Sequence, residues 1–126
     1  MNRPIHFEVH AENPERAMKF YETMFDWKFQ QWGEQKYWMI TTGPKEDAGI
    51  NGGMLPRKGA VDGVCVIAYV CTMDVTNLDE SVKKALDNGG QMAVEKMPVP
   101  GMGWLAYCKD TEGNIFGMMQ MDKEAK

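Results

Sequence analysis

The chain reads onto itself. Moved along by 64 positions, His10 falls on Asp74, Asn13 on Asn77, Glu15 on Asp79, Met18 on Val82 and Lys19 on Lys83. Phe7 and Val9 fall on Cys71 and Met73, and Gly53-Met54 falls on Gly117-Met118. The identities are few, but helix caps, apolar stripes and strand-like runs recur in the same order. A duplicated unit is the economical explanation. Each half reads strand–helix–strand–strand–strand. This predicts an α+β fold of two tandem βαβββ modules curling around one cleft, with helices on the outer faces. The expected bounds are 1–56 and 64–126, with 57–63 as a crossover, in a single domain of 126 residues.

Local signals place the elements. His6 to His10 reads as the first strand. Asn13 is a helix cap, followed by Pro14 at the first helical position, where a missing N–H costs nothing. Ala17, Met18, Phe20, Tyr21, Met24 and Phe25 recur at helical spacing. Asp26 follows where that helix must stop. Strands are expected at Trp27–Trp32, Tyr37–Thr42 and Ile50–Leu55, with Gly33–Lys36 as a hairpin connection and Gly43–Gly49 as a loop. The second half opens with Val64–Met73. A helix capped by Asn77, with Glu80 three residues on, carries Leu78, Val82, Ala85 and Leu86 on one stripe and ends at Gly89-Gly90. Strands Gln91–Met97, Trp104–Lys109 and Asn114–Met121 follow. They are separated by a Pro98–Gly103 loop, read as a rigid turn or a lid, and an Asp110–Gly113 β-turn. The tail Asp122–Lys126 is charged and expected to fray.

Composition excludes several function classes. A net charge of −4 argues against a nucleic-acid footprint. No apolar run reaches membrane-spanning length, and the N-terminal residues lack the apolar core of a signal peptide. Cys65, Cys71 and Cys108 are an odd number without metal-type spacing, so reduced thiols in a cytoplasmic protein are expected.

The chemistry concentrates in His6-Phe7-Glu8-Val9-His10. Strand residues two apart share a face. Ile5, Phe7 and Val9 therefore make an apolar face for the core, and His6, Glu8 and His10 make a polar one. Three readings stand open: a solvated polar triplet, one wall of a ligand cavity, or a metal site using at least one of the three.

With these elements in place, the sequence resembles the vicinal oxygen chelate superfamily of glyoxalases, bleomycin-resistance proteins and extradiol dioxygenases. The resemblance is carried by Ile5–Val9, Pro14–Tyr21, Ala85–Gly90 and Lys109–Asn114, and it spans essentially the whole chain. It is specific for the superfamily rather than for one activity. It implies paired modules, a ligand cleft and a homodimer. Metal enzymes of this superfamily take ligands from the first and last strands of each half. Those positions fall on His6, Gly53, Val70 and Gly117, so His6 alone keeps a ligand type, whereas a divalent site needs about three. The usual metal is not expected. Glu8, His10, Asp74 and Asn51 are the residues from which a shifted site would be rebuilt.

The leading expectation is a glyoxalase/bleomycin-resistance-like protein that binds a small organic molecule in the inter-module cleft without a cofactor. Ligand-binding candidates are His6, Glu8, Asn51, Gly53, Val70, Trp104 and Gly117. The glycines leave room, Val70 supplies an apolar wall and Trp104 stacks. A metal-free enzyme would use Glu8 as general base with His6 or His10 as its partner. The alternative is a metal-dependent lyase, isomerase or dioxygenase with Zn, Ni, Mn or Fe relocated around His6, Glu8 and His10. A third possibility is a partner-binding protein whose cleft is vestigial. The remaining tryptophans, Trp27, Trp32 and Trp38, read mostly as core or dimer-interface residues, with stacking on a ligand as the alternative for some of them.

Overall fold

The order of elements along the chain is β1 (Phe7–Ala11), α1 (Pro14–Phe25), β2 (Lys28–Gln31), β3 (Trp38–Thr41), β4 (Gly52–Pro56), then β5 (Thr72–Asp74), α2 (Leu78–Asp87), β6 (Gln91–Val99), β7 (Gly103–Lys109) and β8 (Ile115–Met121). The structure, a computed structural model, describes residues 5–59 and 70–126. The chain divides into two compact units, Met1–Ala68 and Tyr69–Lys126. Cys65, most of the expected crossover and the first part of the expected Val64–Met73 strand lie outside the described residues.

In the first unit the strand order is β1-β4-β3-β2. β1 runs parallel to β4, and the other pairs are antiparallel. The Asn13 side chain accepts from the Arg16 N–H at 3.1 Å and starts α1, with Pro14 as its first residue. Asp26 stops it in the left-handed conformation, φ 58° and ψ 30°, its N–H donating to the Glu22 carbonyl at 2.9 Å. The helix buries Ala17, Phe20, Tyr21 and Met24. Tyr21 stacks on Trp27 with centroids 4.8 Å apart, and Phe7 of β1 meets the same indole at 5.6 Å. Trp27 thus belongs to the helix-side core, and the strand begins one residue later than expected. Cross-strand partners share a face, so Phe7, Gly52, Ile40 and Phe29 form one row on the helix side. Ile5 precedes the strand and is exposed, so the apolar face expected to include it begins at Phe7.

The second unit repeats this plan, with strand order β5-β8-β7-β6. The repeat extends to register. Glu8 pairs with Gly53 across β1 and β4, and the residues 64 positions on, Thr72 and Gly117, pair across β5 and β8. Asn77 caps α2 by accepting from the Glu80 N–H at 3.1 Å, and the Gln120 side chain accepts from the Leu78 N–H at 2.8 Å. Replacing Asn13 or Asn77 by alanine is expected to cost about 1 kcal/mol each, measured by urea denaturation. Replacement by aspartate, which keeps the acceptor, is expected to be close to neutral.

Four local expectations are corrected. β6 continues through Pro98 to Val99, because β6 is an edge strand and proline's missing N–H costs little there. The expected Pro98–Gly103 loop or lid shrinks to a tight hairpin connection, closed by Met102 N–H donating to Val99 O at 2.9 Å with Gly101 at φ 74°. The tail does not fray. Asp122 N–H donates to Met102 O at 2.8 Å, Gly101 N–H donates to Ala125 O at 3.0 Å, and Ala125 is buried. Within α2, Leu86 is exposed although it was placed on the apolar stripe. Cys71 and Cys108 are unpaired, and burial pushes both thiols up from their ordinary value, which keeps them protonated. No helix among the described residues is long and apolar enough to cross a membrane.

Candidate functional site

The face of the first sheet opposite the helix carries a continuous hydrogen-bonded row. Register puts Glu8, Gly53, Met39 and Gln30 on this face, one from each strand. Tyr37, two residues before Met39, shares that side. Its ring lies diagonally over Gly53, where a β-carbon would collide with the phenol. An aromatic side chain can reach a diagonal neighbour, and glycine leaves the backbone bare for it. The phenol thereby crosses β4 and meets β1.

There it joins the three ionisable residues of β1. The Tyr37 hydroxyl donates to Glu8 Oε2 at 3.1 Å. His6 Nε2 lies 2.9 Å from the same hydroxyl, and His10 Nε2 lies 3.3 Å from Glu8 Oε1. The proton count gives the network a direction. A phenol has one hydrogen, spent on Glu8, so the His6 contact takes its proton from His6. A carboxylate only accepts, so His10 Nε2 carries the proton on the other side. Every proton in the row points toward Glu8.

Tyr37 is held above the ordinary tyrosine range, first by burial, then by its hydrogen bond to the Glu8 carboxylate and by that charge. The neutral donor form is the one the fold favours. Because the folded value is raised, its contribution to stability is complete below the ordinary tyrosine range and is lost as pH rises through the raised value.

Exposure distinguishes the members of the row. His10 is only 7% exposed and Glu8 is 42% exposed. His6 is exposed. The polar triplet is therefore not uniformly open, because its last member packs inside. The His10 carbonyl accepts from Arg57 Nη2 at 3.3 Å. Beyond Tyr37 the row ends at Trp32, whose ring meets the phenol edge-on at 6.0 Å. Trp32 and Tyr37 flank the Gly33–Lys36 hairpin, and the Trp32 N–H donates to Tyr37 O at 2.9 Å.

The other candidates lie elsewhere. Asn51 precedes β4, and its Oδ1 accepts from the Thr42 N–H at 2.9 Å, closing the base of the loop between β3 and β4. In the second unit, Val70 is 51% exposed and precedes β5. Gly117 pairs with Thr72, and a β-carbon there would press on the Thr72 hydroxyl at 2.8 Å and the Tyr107 ring at 3.0 Å. The Trp104 indole N–H donates to Asp122 Oδ2 at 3.1 Å, and the Lys96 ammonium lies 5.1 Å from its ring centroid. The expectation that Gly53 and Gly117 leave open room is corrected: a tyrosine ring lies against each. Gly53, Gly117 and Val70 offer no side-chain donor, and His6 Nε2 is engaged by Tyr37. This set does not fit a four-ligand metal centre at those positions. Among the described residues no group of three or more His, Cys, Asp or Glu side chains is arranged to hold a metal ion.

Sequence reading missed Tyr37, and it placed Trp32 among tryptophans read mainly as core or interface, with ligand stacking as the other use. The hairpin held the signal: a four-residue connection sets Trp32 opposite Tyr37 on one face. What the sequence could not provide was the reach of that phenol across Gly53.

Two units of the βαβββ type with matching register define a class of paired-module protein. Among solved structures, the chain is similar to a glyoxalase/bleomycin resistance protein/dioxygenase family enzyme from Burkholderia phytofirmans PsJN. That match has a TM-score of 0.74 and 14% identity, covering 93% of this chain and 97% of that one. It is also similar to the genomically encoded fosfomycin resistance protein FosX from Listeria monocytogenes, with a TM-score of 0.73 and 13% identity, covering 97% and 93%. A glyoxalase-related enzyme from Fulvimarina pelagi matches with a TM-score of 0.67 and 15% identity, covering 100% and 98%. No family sequence model and no curated protein matches the chain. The fold is that of the glyoxalase, bleomycin-resistance and dioxygenase proteins, the vicinal oxygen chelate fold.

Proposed function

We propose that the chain is a cytoplasmic, homodimeric protein of the glyoxalase/bleomycin-resistance type. It binds a small organic molecule on the His6–Tyr37–Glu8 face of its first unit and does so without the superfamily's usual metal. The observation that carries this reading is the hydrogen-bonded row from His6 through Tyr37 to Glu8, laid across a strand by a glycine and left partly open to solvent. A sheet needs no such arrangement to pack, because its core row lies on the other face. Glu8 and His6 are the candidate catalytic pair if the bound molecule is also transformed, with His10 holding the carboxylate from behind.

The fosfomycin resistance protein of Listeria monocytogenes has been crystallised with Mn(II) and 1S,2S-dihydroxypropylphosphonic acid. This chain's donor set departs from a metal-centred arrangement, since Gly53, Val70 and Gly117 offer no ligand atoms.

Two measurements test the proposal. A thermal-shift screen against aromatic, hydrophobic and antibiotic-like compounds is expected to return hits that Tyr37→Phe weakens about tenfold, because Glu8 and His6 lose the hydroxyl that positions them. Hits indifferent to Tyr37→Phe and to His6→Ala would place binding elsewhere. Elemental analysis follows, on protein purified without chelator and incubated with zinc, nickel, manganese or iron(II). A near-stoichiometric metal lost on His6→Ala would overturn the metal-free reading in favour of a lyase, isomerase or dioxygenase.

A further inference from the structure

We infer that the His6–Tyr37–Glu8–Trp32 face selects an organic cation bearing N–H donors, such as an amine or amidine on an aromatic body. This rests on the reading of that face as a ligand site and adds its charge preference. The argument is a count of protons. The Tyr37 hydrogen goes to Glu8 Oε2, and the His10 Nε2 hydrogen goes to Glu8 Oε1. The His6 Nε2 hydrogen goes to the Tyr37 oxygen. His6 Nε2, the Tyr37 hydroxyl and His10 Nε2 have then spent their hydrogens around Glu8. What Glu8 still offers toward solvent accepts: a second lone pair on each carboxylate oxygen.

A partly exposed carboxylate whose neighbouring donors already point at it repels anions. It suits a group that brings both charge and hydrogens. An amidine or guanidinium does so in the planar, two-toothed form that a carboxylate matches best.

Trp32 supplies the second half of the argument. It is 61% exposed, an unusual place for the largest side chain, and it stands edge-on to Tyr37 at the end of the same row. Its π face is negative and attracts a cation or receives a flat ring. Carboxylate and indole lie at opposite ends of one row, with the phenol between them. A ligand with a cationic head and an aromatic body spans both.

The test is isothermal titration calorimetry on the chelator-treated chain at low ionic strength. The probes are benzamidine and phenethylammonium, the neutral benzamide, and the anions benzoate and phenylphosphonate. The two cations are expected to bind at least about tenfold more tightly than benzamide, and the anions not at all. Glu8→Gln keeps the shape and is expected to abolish that preference, while Trp32→Ala weakens benzamidine and benzamide alike. A cation preference that survives Glu8→Gln would overturn the inference. So would equal or tighter binding of the anions. If neutral or anionic aromatics bind and Tyr37→Phe weakens them, the charge preference fails while the ligand-site reading stands. If no probe binds, the cation inference fails, and the compound screen decides the broader reading separately.

Discussion

Gly52→Ala is expected to destabilise the fold by about 3 kcal/mol, whereas Gly53→Ala, one residue on, costs about 1 kcal/mol. The two glycines are adjacent in β4 but face opposite sides of the sheet. A β-carbon on Gly52 would collide with the backbone carbonyl oxygen of Phe7 and stand 2.8 Å from the Phe7 ring. That carbonyl belongs to the parallel neighbour strand, so relief requires the β1–β4 ladder to separate. The nearest atoms a β-carbon on Gly53 would meet are the far end of the Tyr37 side chain, which can swing into solvent. The cheaper substitution should nevertheless be the functionally damaging one, because it removes the phenol from Glu8. Urea denaturation measures the first effect. Absorbance titration of the tyrosines measures the second, with Tyr37 expected to fall back toward the ordinary value in Gly53→Ala. A Gly52→Ala protein as stable as the parent would show that β1 and β4 are not packed as described.

Asp110→Ala should have an effect of similar size, about 3 kcal/mol, for a different reason. Asp110 is buried at the turn between β7 and β8. Its Oδ1 accepts from the Glu112 N–H at 2.8 Å and the Asn114 N–H at 2.9 Å, and its Oδ2 accepts from Asn114 Nδ2 at 3.2 Å. Alanine would strand two backbone donors inside the protein, and each unsatisfied group costs on the order of 1–3 kcal/mol. Asp110→Asn keeps an oxygen for the two backbone donors but sets an amide against the Asn114 amide, so about 1 kcal/mol is expected. Thermal and urea unfolding distinguish the two. Equal losses would mean that charge, rather than the acceptor oxygen, holds this turn.

The caps, the apolar stripes and the repeat were legible because each is written in neighbouring residues. Asn13 and Asn77 cap helices through their own side chains three residues on. Asp26 stops a helix by its own backbone. The 64-residue offset survives in the pairing of Glu8 with Gly53 and Thr72 with Gly117, because side-chain alternation fixes which residues can share a face. The polar character of His6, Glu8 and His10 was likewise local.

Their arrangement was not. Whether a glycine in a strand opens a space or seats a ring depends on the neighbouring strand, and sequence order does not show that neighbour. β4 lies between β1 and β3 although β1 is far from it along the chain. Only that pairing brings Phe7 over Gly52 on one side and Tyr37 over Gly53 on the other. The tail shows the same physics: charged residues predict fraying, but Asp122 and Ala125 find backbone partners in the β6–β7 hairpin. Periodicity and capping act within a few residues and can be read from the sequence. Hydrogen bonds and ring contacts between distant strands depend on register, and register exists only once the sheet has formed.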